Sequence, residues 1–429
     1  MAPIPSVSVL IPTRNRPTLA RLAVESALAA VPADGEVVVA DNSDRPTPLD
    51  FDDPRLRVLR AERVLSMPDN WERVLGAARG EWLLMLEDKS RLARGSIERL
   101  LDLASDQWSV VTYQQNYFQQ DVDPALAEDP DRLRSAPGVL EWMSRTVQVR
   151  LRNSQPALRQ VLEHGLEYNY HHLPQFLNAV IHRDIVDRVR RRIGRFFIGM
   201  NPDLSSCLMI LAETHQYLET TLPATLIQWP TRRREAWSNA FAFLQGTRSR
   251  LRFFSEFGAA SPLERYRLPP TAMGGLFETF LEFRRVRPEV MPELQIPWEH
   301  FAVAATYENE RYPPEERWRL HAQVLRATQH GALRPRAAYR QLRALAGLQL
   351  GRVRPVVERA RALLQPSASV APAETSAPAA PAAVQPVAAP DEDTRRETTS
   401  EASLIAALDS LSRRCREPAV TPERFTRSN

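Results

Sequence analysis

Lysine is almost missing from this chain: of 56 basic residues, 55 are arginine and one, Lys89, is lysine. So deep a bias is genomic in character. The surviving lysine then marks a place where a planar guanidinium fork does not replace a compact, flexible point charge, a chance remnant being the competing reading. Cysteine is also scarce. Cys207 and Cys415 lie far apart in unlike contexts, which excludes a disulfide scaffold and fits free thiols in a reducing compartment. No apolar run approaches 18 residues, so no transmembrane helix is expected. The opening Met1-Ala2-Pro3-Ile4-Pro5 has no basic segment followed by an apolar core, so no signal peptide is expected either. The protein reads as cytoplasmic, with peripheral association at the inner face of the membrane compatible with its charge. No Gly-x-Gly-x-x-Gly follows the first apolar run and no Gly-x-x-x-x-Gly-Lys occurs, which counts against a nicotinamide dehydrogenase and a P-loop NTPase. No repeat of 20–50 residues is evident.

What is present describes an ordinary globular protein: 429 residues, 43% hydrophobic and 25% charged, enough for two or three domains. The net charge of +4 conceals an asymmetry. Residues 1–140 balance at −6, residues 141–365 at +12 and residues 366–429 at −2. A basic middle suits an anionic acceptor, a phosphate-bearing donor or an acidic membrane surface, and equally suits arginines that only solvate helix faces. No nucleic-acid partner is expected.

Short β-rich runs alternate with helical patterns through the first hundred residues. Ser6–Ile11, Glu36–Asp41, Leu56–Leu59, Trp82–Leu86 and Val110–Tyr113 read as strands. Helices are expected after Pro17, from Asn70 to Ala78 with Asp69 as cap, and at Ser96–Leu103. That order predicts an α/β fold, a mostly parallel sheet flanked by helices, with ligands at the carboxyl ends of its strands. Asn15, Asp41 and Glu87-Asp88 all follow strand ends and should gather on one rim. Further on, residues 114–135 read as an insertion, Leu177–Ile181 as a strand, Asp184–Arg192 as a basic helix and Ser205–Glu213 as another helix. Residues 246–365 read as a helical region. Residues 366–400 are Ala, Pro, Ser and Thr with little to bury, and read as a disordered linker. Leu404, Ile405, Leu408 and Leu411 then suggest a short amphipathic helix within 401–429, whose residues 401–416 would dock on a protein partner.

Several pieces occur together: Val9-Leu10-Ile11-Pro12-Thr13-Arg14-Asn15-Arg16-Pro17, Glu36-Val37-Val38-Val39-Ala40-Asp41-Asn42-Ser43, Asn70-Trp71-Glu72, Arg79-Gly80-Glu81-Trp82 and Leu86-Glu87-Asp88. In order and spacing they resemble the family 2 glycosyltransferases, enzymes of the GT-A fold, firmly over residues 5–100 and more faintly to about 240. The resemblance implies a GT-A domain over residues 1–245 that moves a sugar from a nucleotide-diphosphate donor to a hydroxyl acceptor with inversion. A uridine diphosphate sugar is the default donor. The acceptor, anionic or simply hydroxyl-bearing, is left open among surface polysaccharide, glycolipid and protein.

Residue by residue, the resemblance implies that Pro12, Thr13, Arg14, Asn15 and Arg16 form the nucleotide loop and that Asp41 accepts from base or ribose, with Asn70 nearby. An Asx turn at Asp41 and a helix-supporting role for Asn70 are the competing readings. Glu87-Asp88-Lys89 stands where the family has its Asp-x-Asp-type motif for Mg²⁺ or Mn²⁺. Here a cation replaces the usual final acid. Asp88, with Glu87, is expected to contact a metal or a ribose hydroxyl while Lys89 faces the diphosphate; alternatively Lys89 pairs with Glu87 or points to solvent. Asp203, in Asn201-Pro202-Asp203, is expected to be the general base, with a helix cap as its alternative. His171-His172 with Tyr168 and Tyr170, the Arg232-Arg233-Arg234 run, and Trp237-Ser238 are weaker candidates for acceptor or diphosphate contact. Cys207 reads as a small buried helix residue. Two other classes compete: a binding or scaffold protein on a degenerate transferase fold, and a nucleotidyltransferase, whose glycine-rich basic first loop is missing.

Overall fold

The computed structural model describes residues 5–104, 108–118, 147–164, 172–228, 247–257 and 262–330. The readings for residues 119–135, His171, Tyr168, Tyr170, Arg232–Arg234, Trp237-Ser238, Cys415, the 366–400 linker and the 401–416 helix lie outside them.

Among the described residues the sheet has nine strands, in the order β3-β2-β1-β4-β8-β6-β9-β5, with β7 also on β9. β1 (Val7–Thr13), β2 (Glu36–Asp41), β3 (Leu56–Arg60) and β4 (Trp82–Met85) run parallel. β6 (Val110–Phe118) and β9 (Gln216–Gln228) follow the same direction, while β8 (Ala179–His182), β5 (Ser90–Leu92) and β7 (Val149–Asn153) run against their neighbours. The sheet is therefore mostly parallel, as expected. The β-period divides β1 and β2 between two cores. Leu10, Val38 and Ala40 face one; Val9, Ile11, Val37 and Val39 face the other. Helices α1 (Pro17–Ala30) and α3 (Ser96–Leu103) cover the second face. α2 (Met67–Ala77), α4 (Ser154–His164), α5 (Arg183–Ile193) and α6 (Pro202–Glu213) cover the first.

β6 runs on to Phe118, so residues 114–118, expected to open an insertion, continue the strand alongside β9, and three further boundaries differ from expectation for a local reason. α2 begins three residues early because Ser66 is its cap: Ser66 Oγ accepts from Asp69 N and donates to Asp69 Oδ2, so Asp69 is the answering acid of a capping box rather than the cap. β8 starts at Ala179 because Asn178 closes a turn, accepting from Gln175 N and donating to Leu173 O. α6 begins at Pro202, since Asn201 Oδ1 accepts from Leu204 N at 2.7 Å; Asp203 lies in the first turn and is not the cap. The final strand is also longer than its apolar part, Ala224 onward, because β7 and β6 pair with its polar first half.

Beyond the sheet the described chain is helical: α7 (Thr247–Ser255), α8 (Pro262–Tyr266), α9 (Ala272–Val286), α10 (Trp298–Asn309) and α11 (Pro314–His330). Phe277, Phe280, Phe283 and Phe301 join the core under α6, so these helices share its apolar interior.

Candidate active site

The site lies where strand order reverses, between β1 and β4, at their carboxyl ends. Thr13 ends β1, Asp41 ends β2, and the two are register partners. Past β1 the chain turns through Asn15, whose φ of 55° is left-handed, a conformation asparagine tolerates. Asn15 staples the first two loops: its N–H donates to Ser43 Oγ at 2.8 Å, its Nδ2 donates to Asp44 Oδ2 at 3.1 Å, and its Oδ1 accepts from Asp44 N at 2.8 Å.

Asp41 is buried and heavily engaged. Oδ1 accepts from Ser43 N, and Oδ2 from Thr47 N and Arg60 Nη1 at 2.8 Å. Burial works to raise its pKa, but those hydrogen bonds outweigh it and hold the carboxyl below its ordinary value. The Asx turn is thus real, and it fixes an ionised carboxylate at the rim. Asn70 donates to Ala40 O at 3.1 Å, tying α2 to the end of β2, while its buried Oδ1 has no partner among the described residues.

After β4, Leu86 N–H still donates to Leu10 O, and a turn closed by Ser90 N–H to Glu87 O presents Glu87-Asp88-Lys89. Asp88 is buried and bridges the switch point. Its Oδ2 accepts from Thr13 Oγ1 at 2.9 Å and its Oδ1 from Arg16 Nη1 at 2.9 Å. Lys89 Nζ stands 3.4 Å from Glu87 Oε1. Arg91, which the sequence reading passed over, lies beneath this turn. It donates to Asp88 O and Ser90 O, its Nε and Nη2 have no partner among the described residues, and burial lowers its pKa to about 10 against the pull of Asp88 and Glu25. Its place two residues after the motif was the available signal.

Asp203 is half-buried in crowded surroundings. Desolvation, then the charge of Glu87, push its pKa up to about 7, and Lys89 pulls the other way. Glu87, Lys89 and Asp203 therefore feel one another's charge, although more than a hundred residues separate the turn from α6. Two devices hold the approach to Asp203. Glu72 Oε2 accepts from both Phe196 N and Phe197 N at 2.9 Å, while Glu72 Oε1 takes two bonds from Arg190. Further along, Met200 N–H donates to Glu278 Oε2 and Thr279 Oγ1, and Asn201 N–H to Thr279 Oγ1. Glu278 and Thr279 carried no sequence signal beyond being polar, and Glu72 none beyond its place in Asn70-Trp71-Glu72.

The loop after β1 also meets α7. Arg14 pairs with Glu256 and stands 3.8 Å from Asp44, and Arg252 reaches Asp44 at 3.0 Å. The basic helix α5 is less free than its charge implies: Arg188 pairs with Glu213, Arg190 with Glu72, and Arg192 with Glu289. His172 is exposed, and Cys207 is buried in α6 with its thiol pKa pushed up by burial.

The divalent cation implied by the family needs carboxylate oxygens turned toward a common open point. Both oxygens of Asp88 are taken by Thr13 and Arg16, and Glu87 faces Lys89. Among the described residues no three of His, Cys, Asp and Glu gather at one place. As arranged, these residues do not fit a dication.

Among curated proteins none matches the chain in sequence. Of solved structures, residues 1–349 of S. aureus TarS in complex with UDP-GlcNAc are 13% identical, with a TM-score of 0.40 over 78% of this chain and 92% of that one. A Pyrobaculum calidifontis mannosyltransferase, PcManGT, in complex with GDP-Man and Mn²⁺ is 17% identical, with a TM-score of 0.36 over 77% of this chain and 88% of that one. Both are distant likenesses. Residues 8–181, which hold the β1, β2 and β4 loops and α2, match the family model of glycosyl transferase family 2. That match covers less than half of the chain, and it identifies residues 8–181 as a segment similar to the glycosyl transferase family 2 domain.

Proposed function

We propose that the protein transfers a sugar from a nucleotide-diphosphate donor to a hydroxyl acceptor in a single displacement with inversion. The observation that carries this reading is Asp203, a carboxyl with a pKa near 7 that senses both Glu87 and Lys89 at the switch point. A general base works best with a pKa close to the working pH. The nucleoside would lie over the loops of β1 and β2, against Pro12–Arg16 and Asp41, with its diphosphate beside Lys89. The acceptor oxygen attacks the anomeric carbon and its proton passes to Asp203. The bond from that carbon to the diphosphate oxygen breaks, and the electron pair leaves with the nucleoside diphosphate. A uridine diphosphate sugar is the donor to try first.

The acceptor belongs to the hydroxyl class, and the +12 balance of residues 141–365 supports an anionic one. No described helix is long and apolar enough to cross a membrane, so a lipid-linked acceptor would be met at a surface. One observation favours a second reading, a nucleotide-binding scaffold: every carboxylate of the Glu87–Asp88 turn is already paired. Incubation with a panel of nucleotide sugars separates the two. Release of nucleoside diphosphate that is abolished in Asp203→Asn supports the transferase; binding without release at any acceptor supports the scaffold.

A further inference from the structure

We propose that this site neutralises the donor diphosphate with its own side chains, Lys89 and Arg16, and that transfer requires no divalent cation. The inference rests on the donor reading above and names the electrostatics of that same site.

The first ground is the donor set. A dication is held by carboxylate oxygens with free lone pairs converging on it. Asp88, the buried acid at the switch point, gives one oxygen to the Thr13 hydroxyl and the other to Arg16, each at 2.9 Å. Glu87 gives Oε1 to Lys89 at 3.4 Å. An entering metal would have to break a charge-assisted bond at Asp88 and settle against two cations.

The second ground is the sum of charge. The turn and its contacts bring together Glu87 and Asp88 against Lys89 and Arg16, and Arg91 adds a third cation from below. Arg91 is fully buried, its Nε and Nη2 find no partner among the described residues, and the carboxylates of Asp88 and Glu25 act on its charge. The two carboxylates of the turn are thus already offset by Arg16 and Lys89, which leaves little net negative charge to draw a dication and sets two cations where the phosphates would lie.

The third ground is the identity of residue 89. Arginine serves as the cation everywhere else in this chain, and many of its copies make fork-like bonds to carboxylates, as Arg190 does to Glu72. A metal ion between two phosphates is a compact point charge, which an ammonium on a flexible stem reproduces and a planar fork does not. Lys89 stands where the family motif carries an acid, and its charge also reaches Asp203. One ammonium thus faces the leaving group while restraining the pKa of the base. As the bond from the anomeric carbon to the diphosphate oxygen breaks, the negative charge left on that oxygen is met by Lys89 and Arg16.

Calorimetric titration of the full chain with UDP and GDP, in EDTA and then in MnCl₂, tests this without any variant. The expected result is binding of at least one diphosphate in EDTA, unchanged within about twofold by Mn²⁺. Lys89→Met should weaken that binding in EDTA about 10–100-fold, the worth of a lost charge-assisted contact, while binding of the phosphate-free nucleoside stays the same. Lys89→Asp, which restores an acid, should bind the diphosphate only when Mn²⁺ is present. Wild-type binding that appears only with Mn²⁺ overturns the metal-free proposal and leaves the donor reading standing. Absence of binding to either diphosphate under both conditions overturns both.

Discussion

Thr279 Oγ1 accepts the N–H groups of both Met200 and Asn201, at 2.9 and 2.8 Å, so a helix from beyond the sheet fixes the residue that caps α6. Asn201 in turn accepts from Leu204 N, and Asp203 sits between them in the first turn. The approach is close enough to demand glycine at 199. Its φ is +64°, and a Cβ there would lie 2.5 Å from Thr279 Cα. A cap clamped in this way leaves Asp203 little freedom, which is what a base aligned on an attacking hydroxyl requires.

Thr279→Val keeps the shape of the side chain and removes the acceptor of both bonds. Turnover should fall about 10–100-fold through misplacement of Asp203, with donor KM nearly unchanged, because Thr279 bonds to Met200 and Asn201 rather than to the nucleotide loops. Thr279→Ser should restore most of it. Steady-state kinetics on the three proteins make the comparison, and a parallel rise in donor KM would instead indicate general loosening.

Glu278 accepts from Met200 N through Oε2, while its buried Oε1 has no partner among the described residues, and desolvation pushes its pKa up to about 8. A carboxyl with a folded-state pKa above its unfolded value binds its proton more tightly when folded. The folded state is therefore favoured at low pH, and that advantage is lost as pH rises from about 4.5 toward 8. Glu278→Gln preserves an acceptor for Met200 without a charge. Its melting temperature should match the wild type near pH 5 and exceed it at pH 9, by an amount worth on the order of a few kcal/mol. Equal melts at both pH values would mean that Glu278 is ionised throughout.

Gly80 is a stronger constraint than a helix stop. Its N–H donates to Ser8 Oγ at 2.7 Å, and an added Cβ would lie 2.4 Å from Ser8 N and 2.6 Å from Val7 C. These contacts are backbone in the central strand and cannot give way. Gly80→Ala should destabilise the protein by about 3 kcal/mol, as overpacking against a rigid neighbour does. Urea unfolding would register it as a lower midpoint with an unchanged slope.

The parallel half of the sheet was legible because β1, β2 and β4 are buried on both faces and read as continuous apolar runs, Val9-Leu10-Ile11 being the plainest. β5 and β7 were not: the first is three residues long, and the second alternates arginine with Val149 and Leu151 at a partly exposed edge. Boundaries at Ser66 and Asn178 depended on side chains bonding to backbone a few residues away, which periodicity does not report. In the site, strand-end residues could be foreseen to share a rim, since topology alone brings them there. What they do to one another could not. Thr13 and Arg16 lie 75 and 72 residues from Asp88, and Glu278 and Thr279 lie more than 70 from Met200. Such partners are set by packing between elements, and nothing local in the sequence carries them.

Asp203 offers a test in which activity and stability move in opposite directions. As the proposed base, Asp203 with a pKa near 7 holds little carboxylate in acid, so kcat should rise about tenfold per pH unit below 7 and level above it. The same raised pKa means that ionising Asp203 opposes folding: the cost is absent below about pH 4, grows as pH rises, and is complete above 7. Asp203→Asn removes both the base and the charge. It should abolish turnover while leaving diphosphate binding intact, and it should raise the melting temperature at pH 8 but not at pH 4. The gain at pH 8 should be on the order of 1–2 kcal/mol, since half-burial discounts the full shift. Cap chemistry alone predicts the reverse at high pH, because an ionised acid in the first turn of α6 favours the helix dipole. A stabilised, inactive Asp203→Asn protein therefore identifies a catalytic base, and a destabilised, active one identifies a structural acid.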